Sequence, residues 1–278
     1  MTITRPHSPF LDSILGDPFP CLDHGFIRVV DYMGDDGAVV DAARVSYGTG
    51  TRKVSDDRAL LRYLMAHWHT SPSEMAVIKF HVKMPIFVAR QWIRHRMSST
   101  NEYSARYSVL DREFYLPRPE DLAVQSSDNK QGRGETLSPA AAADVLARLQ
   151  ANSEAAHDTY GILMSEYDLA RELARTALPV NFYTQWYWKI DLHNLLHFLQ
   201  LRLDRHAQYE IRVYAEAIAD VVRQWVPLSW EAFEDYRLNA YTLSAPALAV
   251  VHRWLAGETV TSAESGLSKR EWAELCAR

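Results

Sequence analysis

Glycine is scarce, at 11 of 278 residues, and neither G-x-G-x-x-G nor G-x-x-x-x-G-K-[ST] occurs. The chain therefore lacks the usual loops whose backbone amides cradle a phosphate. Any nucleotide must be held by side chains. Cysteine is scarcer still, with only Cys21 and Cys276, and their positions fit neither a disulfide framework nor a zinc site. Cys21, after Pro20, has no thiolate-stabilising neighbourhood in sequence and reads as incidental rather than nucleophilic. No run of about 18 consecutive apolar residues is present. Early prolines with Asp12 and Asp17 stand where a signal peptide would be apolar. Positive charge is not in excess either, since 30 Lys and Arg face 35 Asp and Glu for a net charge of −5. The chain as a whole is no electrostatic trap for nucleic acid or anionic lipid, so any basic patch is local. These absences predict a cytoplasmic protein in a reducing compartment.

What is present, 47% hydrophobic and 23% charged residues, suits a soluble globular fold. Residues 26–33 read as a strand, and 38–46 as a short apolar segment of either type. Ser55, Asp56 and Asp57 predict a helix start, with Leu60, Leu61, Leu64 and Trp68 at helical spacing and a stop at Ser71-Pro72. From 76 to 84 the pattern alternates, with Ile78, Phe80, Val82 and Met84 on one face. Pro85 then opens a helix expected to run to Met97, with Ile86, Ala89, Ile93 and Met97 on its core face. The polar stretch 121–137 reads as a flexible surface loop. Ser138-Pro139 predicts a helix continuing towards Ala177. Apolar stripes at 192–199 and 211–225 predict two more, and Ser268 to Glu271 spells a capping box. The expectation is an α+β chain, a single helix-rich domain over 1–278 with few strands.

The chemistry concentrates in 94–107. Arg94-His95-Arg96 leads through hydroxyls to Asn101 and Glu102, then Ser104-Ala105-Arg106-Tyr107. Guanidinium forks match phosphate oxygens bidentately, and hydroxyls near a helix end complete an anion pocket. Gln91, Arg94 and His95 lie off the core face of their helix; the bland alternative is that they merely meet water. His193 and His197, four apart on one helix, form a metal site only with a third ligand that the sequence does not supply. The aromatic run Phe182, Tyr183, Trp186, Tyr187 and Trp188 suits a core, although a ring stacked on a cofactor uses the same chemistry.

The pattern R-H-R-x-x-S-x-N-E-x-S-x-R-Y at 94–107 resembles, at every defined position, the signature of flavin-dependent thymidylate synthases. Supporting likenesses extend over about 25–240: Ala42-Ala43-Arg44-Val45-Ser46, His69-Thr70-Ser71-Pro72-Ser73-Glu74, Ala174-Arg175-Thr176-Ala177-Leu178-Pro179, and 201–211, which contains Arg202, Asp204, Ala207, Gln208 and Glu210. The resemblance implies a fold of the thymidylate-synthase-complementing-protein type, helix-rich with a small, mainly antiparallel sheet, and a C-terminal extension at 241–278. It also implies conversion of dUMP to dTMP, with methylenetetrahydrofolate as one-carbon donor and hydride from FAD reduced by NADPH, a chemistry that needs no protein nucleophile.

Carried over position by position, Ser71, Arg94, His95, Arg96 and Glu102 match FAD-binding residues, with Asp191, His193 and His197 matching by position in a later helix. Gln91, Arg94, Glu102, Ser104, Ala105, Arg106, Arg175 and Arg202 match the dUMP set, and Arg202 is the expected catalytic residue. Asp191 and His197 depart from the family's usual asparagines, and an aspartate beside flavin phosphates needs protonation, a donor or distance. The resemblance further implies a homotetramer with sites at subunit interfaces. Two rivals are a homologue that binds flavin and nucleotide without turnover, and a nucleic-acid-binding module using Arg94, Arg96 and Arg106.

Overall fold

A computed structural model describes residues 6–45, 56–127 and 132–277. The helices in chain order are α1 (Pro9–Ile14), α2 (Asp36–Val45), α3 (Asp57–Ala66), α4 (Ile86–Trp92), α5 (Pro139–Ser165), α6 (Arg171–Ala174), α7 (Leu192–Arg202), α8 (Tyr209–Trp225), α9 (Pro227–Phe233), α10 (Ala245–Leu255) and α11 (Lys269–Cys276). The strands are β1 (Pro18–Cys21), β2 (Gly25–Met33), β3 (Val77–Pro85), β4 (Ser99–Glu102), β5 (Ala123–Gln125), β6 (Arg133–Thr136) and β7 (Tyr183–Asp191). Five of them make one antiparallel sheet in the order β1-β2-β3-β7-β4, and β5 and β6 pair separately. Met1–Phe233 and Glu234–Arg278 are two compact units. No described helix is long and apolar enough to cross a membrane.

The alternation in β3 does what its period demands: Ile78, Phe80, Val82 and Met84 are all fully buried, while their neighbours lie half-exposed on the other face. Across the ladder Phe80 faces Trp188, Val82 faces Trp186 and Ile78 faces Ile190. The aromatic run is thus the strand β7, with Trp186 and Trp188 inward and Tyr187 outward. Helices α4, α7 and α8 close this face. Trp92, the last residue of α4, joins all the parts: its ring stacks on Phe198 of α7 at 4.8 Å and meets Trp188, Trp186 and Tyr214 edge-on at 5.1, 5.9 and 5.8 Å. Such pairs add to the large apolar area each ring buries. At the sheet's far end α8 comes so close to β2 that a Cβ on Gly25 would sit 2.0 Å from the Tyr214 hydroxyl. Only glycine fits there.

Several elements differ from expectation, each for a local reason. The 38–46 segment is helical through Val45, and Ser46 and Ser55 lie outside the described residues. Asp56 caps α3 by accepting from the Arg58 amide, but α3 ends at Ala66, short of Ser71-Pro72, because Trp68 takes a left-handed backbone (φ 60°). The helix after Pro85 stops at Trp92 instead of Met97. Its buried face is Val88, Ala89 and Trp92, whereas Ile93 is 51% and Met97 70% exposed. Beyond Trp92 the chain turns to lay β4 against β7, which ends the helical period. Helix α5 stops at Ser165, where Asp168 is left-handed (φ 47°), and only the short α6 follows before Ala177.

The polar 121–137 stretch is not simply a loop among its described residues, since β5 and β6 form a hairpin. Arg133 of β6 reaches Glu210 at the start of α8 at 2.5 Å. Glu210 is 2% exposed and also accepts from the Tyr115 hydroxyl (3.0 Å) and Gln208 Nε2 (2.9 Å). A buried carboxylate is tolerable only with donors of this kind. In the second unit, Ser268 and Glu271 form the reciprocal capping box that starts α11, and Trp254 meets Trp272 edge-on at 5.8 Å.

Cys21 ends β1 at 1% exposure, and burial pushes its thiol up to about 12. A thiol so buried is protonated at neutral pH and inert as a nucleophile. The native protein should show one rapidly reacting thiol, the exposed Cys276, towards an aromatic disulfide reagent at pH 8, and two after denaturation; two fast thiols in the native state would contradict the burial of Cys21. Trp92→Ala should lower unfolding free energy by about 3–5 kcal/mol, read from urea titration by circular dichroism, and a loss below about 1 kcal/mol would show that the ring cluster is not the centre of the core.

Candidate active site

Trp92 fixes where the motif begins. The first amides of α4 are satisfied from the 180–182 segment, Ile86 N–H donating to the Phe182 carbonyl and Phe87 N–H to that of Val180, both at 2.9 Å. The chain then leaves Trp92 in a turn, with His95 N–H donating to the Trp92 carbonyl at 3.0 Å. Arg94, His95 and Arg96 thus sit in a turn after the helix. Next comes β4 on the open edge of the sheet, fully solvent-facing. At its end Glu102 accepts from the buried Thr184 hydroxyl at 2.7 Å, and Tyr103 N–H donates to the Gln185 carbonyl at 2.8 Å.

A second turn follows, in which the Ser104 carbonyl accepts from Tyr107 and Ser108 N–H and the Ser104 hydroxyl from Arg106 N–H at 3.3 Å. Ala105 and Leu110 drop from this turn into a small core with Tyr160 of α5 and Ala174 of α6. That anchorage leaves a cleft of about 260 Å³ lined by Glu102, Tyr103, Ser104, Ala105, Arg175 and Thr184, among others. Glu102, Ser104, Ala105 and Arg175 were all expected at the substrate. Arg106 was too, but it does not line the cleft and pairs with Glu172 at 3.4 Å. Gln91, expected in the same set, has a buried Oε1 with no partner.

A second grouping forms beside the 94–96 turn. The 3-10 segment Ser71–Met75 packs on α7, and the Leu192 N–H at the α7 start donates to the Ala76 carbonyl just after it at 2.8 Å. Asp191 is the N-cap of α7: its carboxylate accepts the Asn194 amide at 2.9 Å and the Asn194 side-chain amide on both oxygens. This satisfies the demand that an aspartate here find donors. His193 and the exposed His197 lie one turn apart on α7. His95 approaches His197 at 6.0 Å between ring centroids, meets Phe198 edge-on at 4.9 Å, and accepts from Arg202 Nε at 3.1 Å. The motif and the expected catalytic arginine are therefore in direct contact.

Electrostatics mark the same region. Arg94 and Arg96 are exposed and have no carboxylate partner among the described residues, and Arg175 reaches only the Glu172 carbonyl oxygen at 3.3 Å. Arg202 bonds a neutral ring in place of an acid; burial lowers its pKa. His95 is held well below the ordinary histidine range, at about 4, by burial first and then by Arg202 and His197. A guanidinium beside a half-buried imidazole makes a second positive charge costly. In a chain of net charge −5 this is a local surplus of unpaired cations, the arrangement an anion completes.

Sequence reasoning missed Thr184, Tyr103 and Asn194. Thr184 was hidden in an aromatic run read for its rings, as core or as a stacking surface, although a buried hydroxyl among rings requires a partner. Asn194 was legible in principle, because Asp-x-x-Asn at a helix start is a capping spacing.

A family model described as "Thymidylate synthase complementing protein" matches residues 28–228. Flavin-dependent thymidylate synthases of Gluconobacter oxydans (strain 621H) and Ruegeria pomeroyi are 62% and 60% identical, over 99% and 97% of this chain and 91% and 90% of theirs. Among solved structures, the UMP/dUMP methylase PolB from Streptomyces cacaoi, bound with 5-Br UMP, superposes with a TM-score of 0.72 at 33% identity, covering 79% of this chain and 98% of that one. With the signature turn, the antiparallel sheet and these likenesses together, the chain belongs to the thymidylate synthase complementing protein family, that of the flavin-dependent thymidylate synthases.

Proposed function

We propose that this enzyme converts dUMP to dTMP, with methylenetetrahydrofolate as the one-carbon donor and FAD, reduced by NADPH, as the hydride source. The observation that carries the reading is the set of guanidiniums at Arg94, Arg96, Arg175 and Arg202 that lack any acidic partner among the described residues. Of these, Arg175 lines a cleft whose volume, about 260 Å³, is near the lower end for ligand sites. That size favours a mononucleotide. A dinucleotide cofactor must instead run outside it, across the 94–96 turn towards α7.

The residues fit such a division. Arg94 and Arg96 offer forks for a pyrophosphate, and Ser71, His95, Glu102, His193 and His197 supply side chains along the path to α7. Asp191 serves this group through its cap, by fixing Asn194 and the helix start, since its oxygens are already occupied. Bound flavin supplies hydride chemistry that no side chain can. The chain's own residues bind and orient: Ser104, Ala105 and Arg175 hold dUMP in the cleft, with Gln91, Arg94 and Arg106 at its margins. The unpartnered Gln91 Oε1 accepts a ligand donor. Arg202 then presents a permanent cation to the uracil ring, where it stabilises negative charge developing on N3.

Exposed apolar residues surround the motif, including Ile93, Met97, Tyr107 and Leu201. Apolar groups clustered about a charged site suit burial by another copy of the chain, in keeping with a homotetramer whose sites lie between subunits. The compact unit Met1–Phe233 carries every named site residue.

The purified protein should show a flavin absorption spectrum that NADPH bleaches and that dUMP with methylenetetrahydrofolate restores, with dTMP formed. A colourless protein that cannot be loaded with FAD would defeat the proposal. Arg202→Ala should keep its flavin and lose dTMP formation by roughly a hundredfold or more; unchanged turnover would remove its catalytic assignment. In sedimentation, a fully active monomer would refute the shared site.

A further inference from the structure

Arg202 carries five N–H donors in a rigid plane. Only the Nε–H has a partner among the described residues, and that partner is the Nε2 of His95 at 3.1 Å, from a residue 107 positions away in the chain. The remaining donors, on the two Nη atoms, form the opposite edge of the guanidinium. We propose that His95 is the positioning residue for Arg202, an uncharged acceptor that fixes the plane of the guanidinium and leaves its Nη edge free for the pyrimidine ring. The inference rests on the reading of Arg202 as the uracil-facing charge.

The choice of partner is the physical point. Arginines are usually oriented by a carboxylate, which matches the fork in geometry but cancels its charge. A group meant to stabilise a developing anion loses its use if it is already half of an ion pair. An imidazole with its proton on Nδ1 accepts one hydrogen bond and brings no countercharge. His95 itself is held by two elements. Its ring lies edge-on to the fully buried Phe198, and its backbone N–H is tied to the Trp92 carbonyl.

The imidazole must stay unprotonated for this role, since protonation turns Nε2 into a donor facing another donor. The charged and titratable groups around it are Arg202 and His197 of α7, with Arg94 and Arg96 beside it in the chain; burial first, then Arg202 and His197, oppose a positive charge on the ring. Its pKa is thereby depressed to about 4. The Nδ1–H is then the one ring donor left, and it is the atom through which His95 can also meet a flavin. Orientation of Arg202 and contact with cofactor thus use opposite sides of one ring.

Three variants separate these roles: His95→Phe keeps the ring against Phe198 but removes the acceptor, His95→Gln restores a neutral acceptor, and Arg202→Ala removes the target. Equilibrium dialysis with labelled dUMP, alongside dTMP formation at saturating FAD, provides two independent readouts. His95→Phe should weaken dUMP binding in the wild-type background but not in Arg202→Ala, and should lower kcat roughly ten- to hundredfold. His95→Gln should recover part of both. The wild-type rate should hold from pH 8 to about 5 and fall as the ring protonates near 4, whereas His95→Gln should lack that limb. If His95→Phe regains the wild-type kcat once FAD is saturating, or weakens dUMP equally in both backgrounds, His95 does not act through Arg202 and the inference fails. If Arg202→Ala itself forms dTMP normally, the parent reading fails instead.

Discussion

The site depends on one interlock, the Trp92 ring held between β7 and α7. Trp92 closes α4, meets Trp186 and Trp188 from the sheet, and stacks on Phe198 from the helix that follows the same strand. Because His95 begins only a few bonds later, with its amide on the Trp92 carbonyl, the packed ring sets the starting point of the turn. Phe198 serves twice, with one ring contact to Trp92 and another to His95. The polar site is thereby registered against the apolar core through a shared side chain. Precise placement of charged groups needs rigid support, and close-packed aromatic rings provide it.

The nucleotide-facing half rests on a separate, smaller support. Ala105 and Leu110 anchor the 104–108 turn to Tyr160 and Ala174, while Thr184 holds Glu102 from the sheet. Helix α6 brings Arg175 to the same cleft, and its Glu172 draws Arg106 aside. Strand β7 serves both sides, contributing Thr184 to the cleft and Trp186 to the large core. Two ligands can therefore be positioned from two scaffolds joined by one strand.

How much of this was legible depends on the range of the interactions. The 94–107 signature was readable because its chemistry is contiguous, and the strand at 77–85 because burial imposes a period of two residues. The same reasoning failed at α4, where apolar Ile93 and Met97 extend a helical pattern that the chain abandons to pair with β7. Nor does sequence show that a polar stretch is fastened by Arg133 to the buried Glu210, or that Arg202 bonds His95. Both links join residues far apart, and neither partner alone carries a pattern. Resemblance named Arg202 and His95 separately, in different roles; only their contact shows how they work as a unit.

That contact also explains why unpaired cations can collect here at all. Holding Arg202 half-buried without an acid costs free energy through partial loss of water. A carboxylate beside it would relieve this cost but would also compete with every anionic ligand. Asp191, at the N-cap of α7, is occupied by Asn194, and Glu102 accepts from Thr184. His95, where an additional charge would be worst placed, is kept neutral by burial first and then by Arg202 and His197. With the cations left unpaired by protein acids, binding energy from the anionic ends of the ligands is available to seat the uncharged ring against Arg202.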